Sequence, residues 1–201
     1  GRMTLKQERT LPYVTVTPKA EHSIAGGHPW VYGTELTGET GDYQDGDLVD
    51  VRSEKNRYLG TGFINRHSKI RVRLISRNAN DRFDQAFYQR RLRYAWEYRK
   101  AVMGGDIDCC RLIFGEADQF PGLTVDRFGE ILVTQVLSLG TERIKSTLFN
   151  ELYHILRQDG QQIAGIYERN DVAIRELEGM EQGKGFFPLE GVSTPQSTRT
   201  V

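Results

Sequence analysis

The segment KIRVRLI (Lys69–Ile75) alternates basic and apolar side chains with a period of two. Successive side chains of a β-strand point to opposite faces of the sheet. The segment therefore predicts a strand with an apolar face, formed by Ile70, Val72 and Leu74, and a basic face, formed by Lys69, Arg71 and Arg73. We expect the apolar face to line a core and the basic face to be exposed to solvent.

Charge is unevenly distributed around this strand, although the 201-residue chain has a formal net charge of zero. Seven acidic residues lie within 35–54: Glu35, Glu39, Asp42, Asp45, Asp47, Asp50 and Glu54. Seven basic residues and no acidic ones lie within 55–77: Lys55, Arg57, Arg66, Lys69, Arg71, Arg73 and Arg77. A solvated strand face usually carries both signs of charge, so the basic segment favours contact with a phosphate backbone.

The neighbouring residues predict a small β-rich domain over residues 10–77. Further strands are expected at YVTVT (13–17), GDLVDVR (46–52) and YLGTGFI (58–64). Pro18 can open a helix over 19–25, which Gly26 and Gly27 close. Several short strands and one small helix are typical of a compact β-barrel-like domain.

Residues 82–190 predict a second, α+β domain with a mostly antiparallel sheet. A helix is expected over 82–103, with Asp81 as its N-cap and Tyr88, Leu92, Ala95 and Val102 as its apolar stripe. The strands expected after it are CRLIF (110–114), GLTVD (122–126), ILVTQVL (131–137) and IAGIYE (163–168), with a helix between the last two that is capped by Thr141 and closed at Gly160. DVAIRELEGM (171–180) is expected to be a helical turn or a loop.

The two ends of the chain are excluded from this fold. The opening Gly1-Arg2-Met3 is interpreted as a remnant of cloning, with Met3 as the natural start. Residues 191–201 are expected to be a polar tail that is disordered or derived from an expression vector. The chain has neither an apolar run long enough to span a bilayer nor a signal segment, and adjacent Cys109 and Cys110 form no disulfide framework. These features favour the reducing cytoplasm and no membrane partner.

Catalytic and metal-binding motifs are not evident. The four histidines lack ligand spacing, Cys109-Cys110 lacks the C-x-x-C spacing of a zinc site, and no phosphate-binding loop is found. In GEADQFPGLTVDRFGE (115–130), the acids Glu116, Asp118 and Asp126 could act in catalysis, but the spacing favours a tight turn. In that turn Asp118 is a cap and Asp126 pairs with Arg127. YERNDVAIRELEG (167–179) is interpreted as a salt-bridged connector.

The loop GGHPWVY (26–32) offers a histidine and a tryptophan behind two glycines. No partner residue surrounds His28, so a catalytic role is disfavoured and contact with RNA is the better interpretation. Trp30 begins a predicted strand, which favours core packing over stacking on a base, although both alternatives stay open.

Four longer segments occur in an order that resembles a known family: GHPWVYGTEL (27–36), residues 46–77, RLIFGEADQFPGLTVDRFGEILVTQ (111–135) and GIYERNDVAIRELEGM (165–180). They resemble bacterial class I S-adenosylmethionine-dependent methyltransferases of the 23S rRNA large-subunit methyltransferase I type, which form 5-methylcytosine. The resemblance spans nearly residues 10–180, and GEADxxPGLxVDRxG is its most specific element. It implies an RNA-binding PUA domain, a central α+β domain and a C-terminal Rossmann-like catalytic domain.

We expect no counterpart of the third domain in this chain, since EQGKGFFPLEGVSTPQSTRTV (181–201) lacks a strand-borne glycine loop for the cofactor. The resemblance places the catalytic cysteine, which attacks a flipped cytosine, in that domain, so neither Cys109 nor Cys110 takes this role. We therefore expect no complete Rossmann domain, no catalytic, cofactor-binding or metal-binding residues here, and no methyl transfer by this chain alone.

The chain is thus expected to recognise structured 23S rRNA for an S-adenosylmethionine-dependent enzyme, for which a homodimer is left open. The expected RNA-binding residues are Lys19, His28, Arg66, His67, Lys69, Arg71 and Arg73. One alternative is a stand-alone PUA-type RNA-binding module without enzymatic activity. Another is a protein-interaction domain that docks through the acidic segment 35–54.

Overall fold

Two β-sheets, described for residues 9–195 of the chain by a computed structural model, organise the fold. The first sheet contains β1 (Tyr13–Val16), β2 (Trp30–Tyr32), β3 (Leu36–Thr40), β4 (Leu48–Ser53), β5 (Tyr58–Ile64) and β6 (Ile70–Ser76). The second contains β7 (Cys109–Phe114), β8 (Leu123–Phe128), β9 (Ile131–Val136), β10 (Gly165–Asn170) and β11 (Gly183–Phe187). The helices of the described residues are α1 (Pro18–Ala25), α2 (Gln85–Met103), α3 (Leu139–Gln158) and α4 (Ile174–Leu177). Gly1-Arg2-Met3 and residues 196–201 of the expected polar tail lie outside the described residues.

The first sheet is curled because its two edge strands are consecutive in the chain. Its strand order is β2-β6-β5-β4-β1-β3, and only the short 3-10 helix Gly33–Glu35 connects β2 to β3. Six strands laid flat would separate the edges by about 24 Å, whereas this connection spans at most about 14 Å. The sheet must therefore bend its edges towards each other. This curled sheet and the mixed α+β class confirm the coarse fold prediction.

The interior of the curled sheet is a small aliphatic core. It is formed by Val14, Val16, Ala20, Ile24, Val31, Val49, Val51, Ile64, Val72 and Leu74. Val72 and Leu74 of the expected apolar face of β6 are thus buried, and Ile70 is half-buried. Thr17 caps α1 by accepting a hydrogen bond from the Ala20 amide at 3.2 Å.

The second sheet has the order β11-β10-β9-β8-β7 and supports a larger core under α2 and α3. All of its strand pairs are antiparallel except β9 with β10, which confirms the expected mostly antiparallel arrangement. The β9–α3–β10 crossover accounts for the parallel pair, since parallel neighbours need a long connection. Beyond β11, Leu189 is buried in this core and Val192 packs against it.

Helix α2 differs from its prediction in both its start and its apolar stripe. Asp84, not Asp81, caps it by accepting a hydrogen bond from the Phe87 amide at 2.9 Å. Asp81 instead accepts a hydrogen bond from the Ser76 hydroxyl, which explains why it is not the cap. Val102 lies in the last turn and is 57% exposed, so its assignment to the apolar stripe was wrong.

The expected cap of α3 was also wrong. Ser138 occupies the N-cap position, and Thr141 is buried in the first turn. The Thr141 hydroxyl donates a hydrogen bond to the Pro121 carbonyl at 2.6 Å, so it fastens the 115–122 turn to the helix. A capping residue and a first-turn Thr that bonds another segment cannot be told apart from local sequence.

The two sheets are packed against each other. Phe63 of β5 and Ile75 of β6 point away from the first core and are buried in the second. Gly140 in the first turn of α3 lies against Phe63, since a Cβ placed on it would be 2.1 Å from the Phe63 Cγ. The division into domains at 10–77 and 82–190 stays a prediction.

Candidate nucleic-acid interface

The outer face of β6 passes from the protein interior to solvent along its length. Ile75 is 2% exposed, Arg73 is 7% exposed, Arg71 is half-buried, and Lys69 is exposed. The expected exposed basic face is therefore wrong for Arg73, because the second sheet covers the C-terminal half of the strand. Only the end that carries Lys69 and Arg71 is available to a ligand.

Arg73 is held between two glutamates from distant parts of the chain. Its guanidinium lies 3.2 Å from Glu116 and 3.1 Å from Glu178. The Ser68 hydroxyl donates to Glu178 at 2.7 Å, and the Asn65 amide donates to the Glu178 carbonyl at 2.8 Å. Both glutamates come from the motifs GEAD and RELEG, so these motifs join β6 to the second sheet.

Trp30 is part of the same contact. Its indole Nε1 donates to Glu116 at 3.2 Å, and the Arg73 guanidinium lies 5.2 Å from its ring centre. The Gly122 amide donates to the same Glu116 oxygen at 3.1 Å. Trp30 is half-buried, so it is neither a plug of the first core nor a fully exposed stacking surface.

The 115–122 segment is the tight turn that its spacing favours. Gly115–Asp118 form a 3-10 helix, and Gln119 follows with a positive φ of 60°. Asp118 accepts a hydrogen bond from the Phe114 amide at 2.7 Å and lies 3.3 Å from Arg99. Glu116 and Asp118 thus both have structural partners within the protein.

The ion pair expected between Asp126 and Arg127 was wrong. Asp126 pairs with Arg111 across the β7–β8 ladder at 2.7 Å. Arg127 is buried and donates to the Gly129 carbonyl and to Gln161. Adjacent residues of a strand point to opposite faces, so they cannot pair in this way.

The 167–179 segment is salt-bridged, as expected, and two of its ion pairs reach α3. Lys145 lies 2.7 Å from Glu168, and Arg175 lies 3.2 Å from Glu142. Burial would raise the pKa of Glu142, but the hydrogen bonds from Lys145 and Arg175 outweigh burial and lower it. The carboxylate therefore stays ionised, and it holds the buried Arg175 in place.

Three rings project from β2 and the loop before it. The ring centres of His28, Trp30 and Tyr32 lie 6.0–6.4 Å apart. His28 is exposed, Tyr32 is 37% exposed, and β2 is an edge strand. The Gly33 amide donates to the Lys69 carbonyl at 3.0 Å, and the Arg71 guanidinium packs on Gly33, so both cations adjoin this edge. The name "ring edge" is used below for His28, Tyr32, Lys69 and Arg71.

The other expected RNA-binding residues either share a carboxylate or lie on α1. Arg66 and His67 share Asp45, at 3.1 and 3.6 Å. Burial would raise the pKa of Asp45, but hydrogen bonds from Arg66 lower it overall, so this carboxylate partly neutralises both residues. Lys19 is exposed in the first turn of α1. The C-terminal end of this helix, which leads into the loop of His28, lies about 9 Å further along the helix axis.

Sequence reasoning missed Tyr32 and the partners of Arg73. Tyr32 stands two positions after Trp30, so the strand period could have placed both rings on one face. The pairing of Arg73 with Glu178 joins residues 105 positions apart, and no local pattern signals it.

Among residues 9–195, no group of three His, Cys, Asp or Glu side chains is placed to hold a metal ion. Over the same range, no helix has the length and apolar character that crossing a bilayer requires.

Comparison with known sequences identifies the first sheet. A sequence profile of the PUA-like domain family matches residues 14–77. The chain contains a PUA-like domain. This assignment covers the curled sheet, α1 and the ring edge.

The chain as a whole is homologous to part of the ribosomal RNA large subunit methyltransferases I. It is 32% identical to the protein of Klebsiella pneumoniae subsp. pneumoniae over 185 residues, which are 92% of this chain and 44% of the relative. It is 35% identical to the proteins of Cronobacter sakazakii and Escherichia coli over 176 residues, 87% of this chain and 43% of each relative. The chain thus spans less than half the length of these curated relatives.

Two solved structures share the fold of the PUA-like domain and the second sheet. A proposed SAM-dependent methyltransferase from Streptococcus mutans superposes with a TM-score of 0.66 at 18% identity, covering 90% of this chain and 44% of its own. A proposed methyltransferase in complex with SAH gives a TM-score of 0.62 at 20% identity, covering 78% and 40%. At these identities the likeness shows the fold alone.

The described residues do not fit a Rossmann-type site for S-adenosylmethionine. Such a site uses an open glycine-rich turn between a parallel strand and a helix. The β9–α3–β10 unit of this chain has one glycine in the first helical turn, Gly140, and the Phe63 ring fills the space beside it. Gly183 and Gly185 lie in β11, away from any helix start. No step of methyl transfer is therefore assigned to residues 9–195.

Proposed function

We propose that this chain is the RNA-recognition portion of an S-adenosylmethionine-dependent methyltransferase that forms 5-methylcytosine in 23S rRNA in the cytoplasm. Homology to ribosomal RNA large subunit methyltransferase I and the PUA-like domain support the RNA substrate. Residues 10–77 hold the RNA, and residues 82–190 connect them to a catalytic domain supplied by the rest of the enzyme. The 201 residues alone transfer no methyl group.

The ring edge is the main RNA contact in this proposal. One observation carries it: the exposed rings of His28 and Tyr32, at edge strand β2, lie beside Lys69 and Arg71 at the start of the neighbouring strand β6. Cations bind phosphates, while exposed rings stack on unpaired bases. Lys19, Arg66 and His67 add weaker contacts, because Arg66 and His67 share a carboxylate and Lys19 lies on a separate element, α1. Arg73 acts indirectly, by holding Trp30 next to the ring edge.

The test measures binding of a fluorescein-labelled rRNA hairpin by anisotropy between 50 and 300 mM salt, on the order of the range where phosphate contacts weaken strongly. The Lys69→Gln/Arg71→Gln double variant should bind more weakly and reduce the slope of log K against log salt by about 2. Arg57→Gln is the matched control. Arg57 is an exposed arginine of the β4–β5 connection, at the end of β5 that is far from Lys69 and Arg71.

The proposal requires the control to bind as the unmodified chain does. Equal salt slopes for the double variant and the unmodified chain would remove the ring edge as the phosphate contact. Incorporation of labelled methyl groups from S-adenosylmethionine into rRNA by these 201 residues would refute the assignment of catalysis to another domain.

A further inference from the structure

A groove lined by the C-terminal end of β6, helix α2 and the 115–122 turn lies on a different part of the surface from Lys69 and Arg71. Two cavities of about 680 and 600 Å³ share the lining residues Asp81, Arg91, Ala117 and Gln119. They form one continuous groove because of these shared walls. It begins at the Gly27–Pro29 loop, passes the 115–122 turn, and ends beside Tyr94 of α2.

The acids of the groove are already engaged by protein groups. Asp81 accepts from the Ser76 hydroxyl, Glu116 accepts from Trp30 and Arg73, and Asp118 pairs with Arg99. The groove therefore offers few acceptors to a cationic ligand.

The arginines of the groove have no carboxylate partner within 4.0 Å among the described residues. Arg77 donates to the His28 carbonyl, and Arg91 donates to the carbonyls of Ile75 and Gln119. Arg90 is exposed and has no hydrogen-bond partner in residues 9–195. Burial lowers the pKa of Arg91 to about 10, so its guanidinium stays cationic at neutral pH. Three positive charges without a paired carboxylate complement a polyanion.

One large aromatic ring stands exposed at the end of the groove, and a second is exposed one turn further along α2. Tyr94 is 75% exposed and lines the groove, and Tyr98 one helical turn later is 50% exposed. Arg90 lies one turn before Tyr94 on the same helix. An exposed aromatic ring beside cations in a groove is the combination that binds single-stranded nucleic acid through base stacking and phosphate contacts.

We propose that this groove binds a single-stranded segment of RNA, whose phosphates contact Arg90 and Arg91 and one of whose bases stacks on Tyr94. The proposal rests on the proposed RNA-binding function. It adds a second contact, on α2, for the unpaired strand that extends from a structured RNA held at the ring edge. The 201-residue chain would then favour an RNA that combines a hairpin with an unpaired extension.

The test compares a labelled RNA hairpin with the same hairpin carrying a 3′ extension of unpaired nucleotides, both titrated with the 201-residue chain. The extension should tighten binding by at least about fivefold, the contribution of one base–aromatic stack. Tyr94→Ala should abolish this gain and leave hairpin binding unchanged, whereas Tyr94→Phe should keep it. Phe128→Ala is the matched control, because Phe128 is 57% exposed but outside the groove.

The outcomes distinguish failure of the groove proposal from failure of the ring-edge proposal. If the hairpin binds but the extension adds no affinity, or if Tyr94→Ala keeps the gain, the groove proposal is overturned and the ring edge stands. If the hairpin alone does not bind while the extension binds and depends on Tyr94, the ring edge is overturned and the groove stands. If neither RNA binds, both proposals are overturned. If Phe128→Ala loses as much of the gain from the extension as Tyr94→Ala does, the role of Tyr94 is overturned.

Discussion

Replacing Arg73 with methionine would test whether this arginine is a structural link or part of an exposed basic face. The side chain of Arg73 is 8% exposed and that of Glu178 is 7% exposed, and their atoms lie 3.1 Å apart. Methionine keeps much of the aliphatic volume but removes the charge, so Glu178 would be left buried without its cation. Removing one partner of a buried ion pair costs about 3–5 kcal/mol.

The assay is urea unfolding followed by circular dichroism. With a urea dependence of about 2 kcal/mol per molar for a domain of this size, the midpoint should fall by about 1.5–2.5 M. Arg66→Met is the control: Arg66 pairs with Asp45 at the surface, where solvent screens the interaction, so its midpoint should barely change. Adding Glu178→Gln to Arg73→Met should recover part of the loss, because the uncompensated charge is gone. Equal midpoints for Arg73→Met and Arg66→Met would refute the buried link.

Two further predictions concern the packing and the ionisation of the second sheet. Gly140→Ala places a methyl group against Phe63 and should lower the free energy of unfolding by about 1–3 kcal/mol in the same assay. Gly105→Ala has open space and should change it by less than about 0.5 kcal/mol; similar losses for both would contradict the close approach. The pKa of Glu142 is lowered in the folded state, so the stability it contributes is present above its unfolded pKa of about 4.3 and is lost as the pH falls through the folded value. The difference in stability between the unmodified chain and Glu142→Gln should therefore shrink below about pH 4.3, and a constant difference across that range would contradict the assignment.

Periodicity predicted most of the strands because it reports on a local property, but it missed β3 and β11. Val72 and Leu74 alternate with Arg71 and Arg73, and the structure buries the first pair in the core of the curled sheet. The same pattern could not distinguish solvent from a second protein layer on the other face. A basic side chain in a strand is compatible with both environments, and only the position of the second sheet decides between them.

Charge counting along the chain failed for a related reason. The absence of acids within 55–77 suggested unpaired cations, but Asp45, Glu116 and Glu178 approach this segment from outside it. Ion pairs form between neighbours in space, and three-dimensional neighbours of a central strand come mainly from distant segments. Sequence composition therefore overestimates the exposed charge of any strand that is packed on both faces.

Helix boundaries were predicted less well than helix existence. Asp81 and Thr141 are good capping residue types, yet each hydrogen-bonds another segment and the helix is capped three residues away. Ser, Thr, Asp and Asn serve equally in caps, turns and tertiary contacts. Which of these roles a residue takes depends on what the fold brings within reach of its side chain.

The two most specific motifs of the chain acquire a shared role in the structure that neither suggests alone. Glu116 belongs to GEAD and Glu178 to RELEG, and both carboxylates meet at Arg73 of the basic strand. This contact fixes the angle between the PUA-like domain and the second sheet, and with it the groove that ends at Tyr94. An RNA that bridges the ring edge and Tyr94 depends on that angle, so a change at Arg73 should weaken binding of an extended RNA more than binding of a hairpin. The motifs would then serve RNA recognition through the geometry they impose, without touching the RNA.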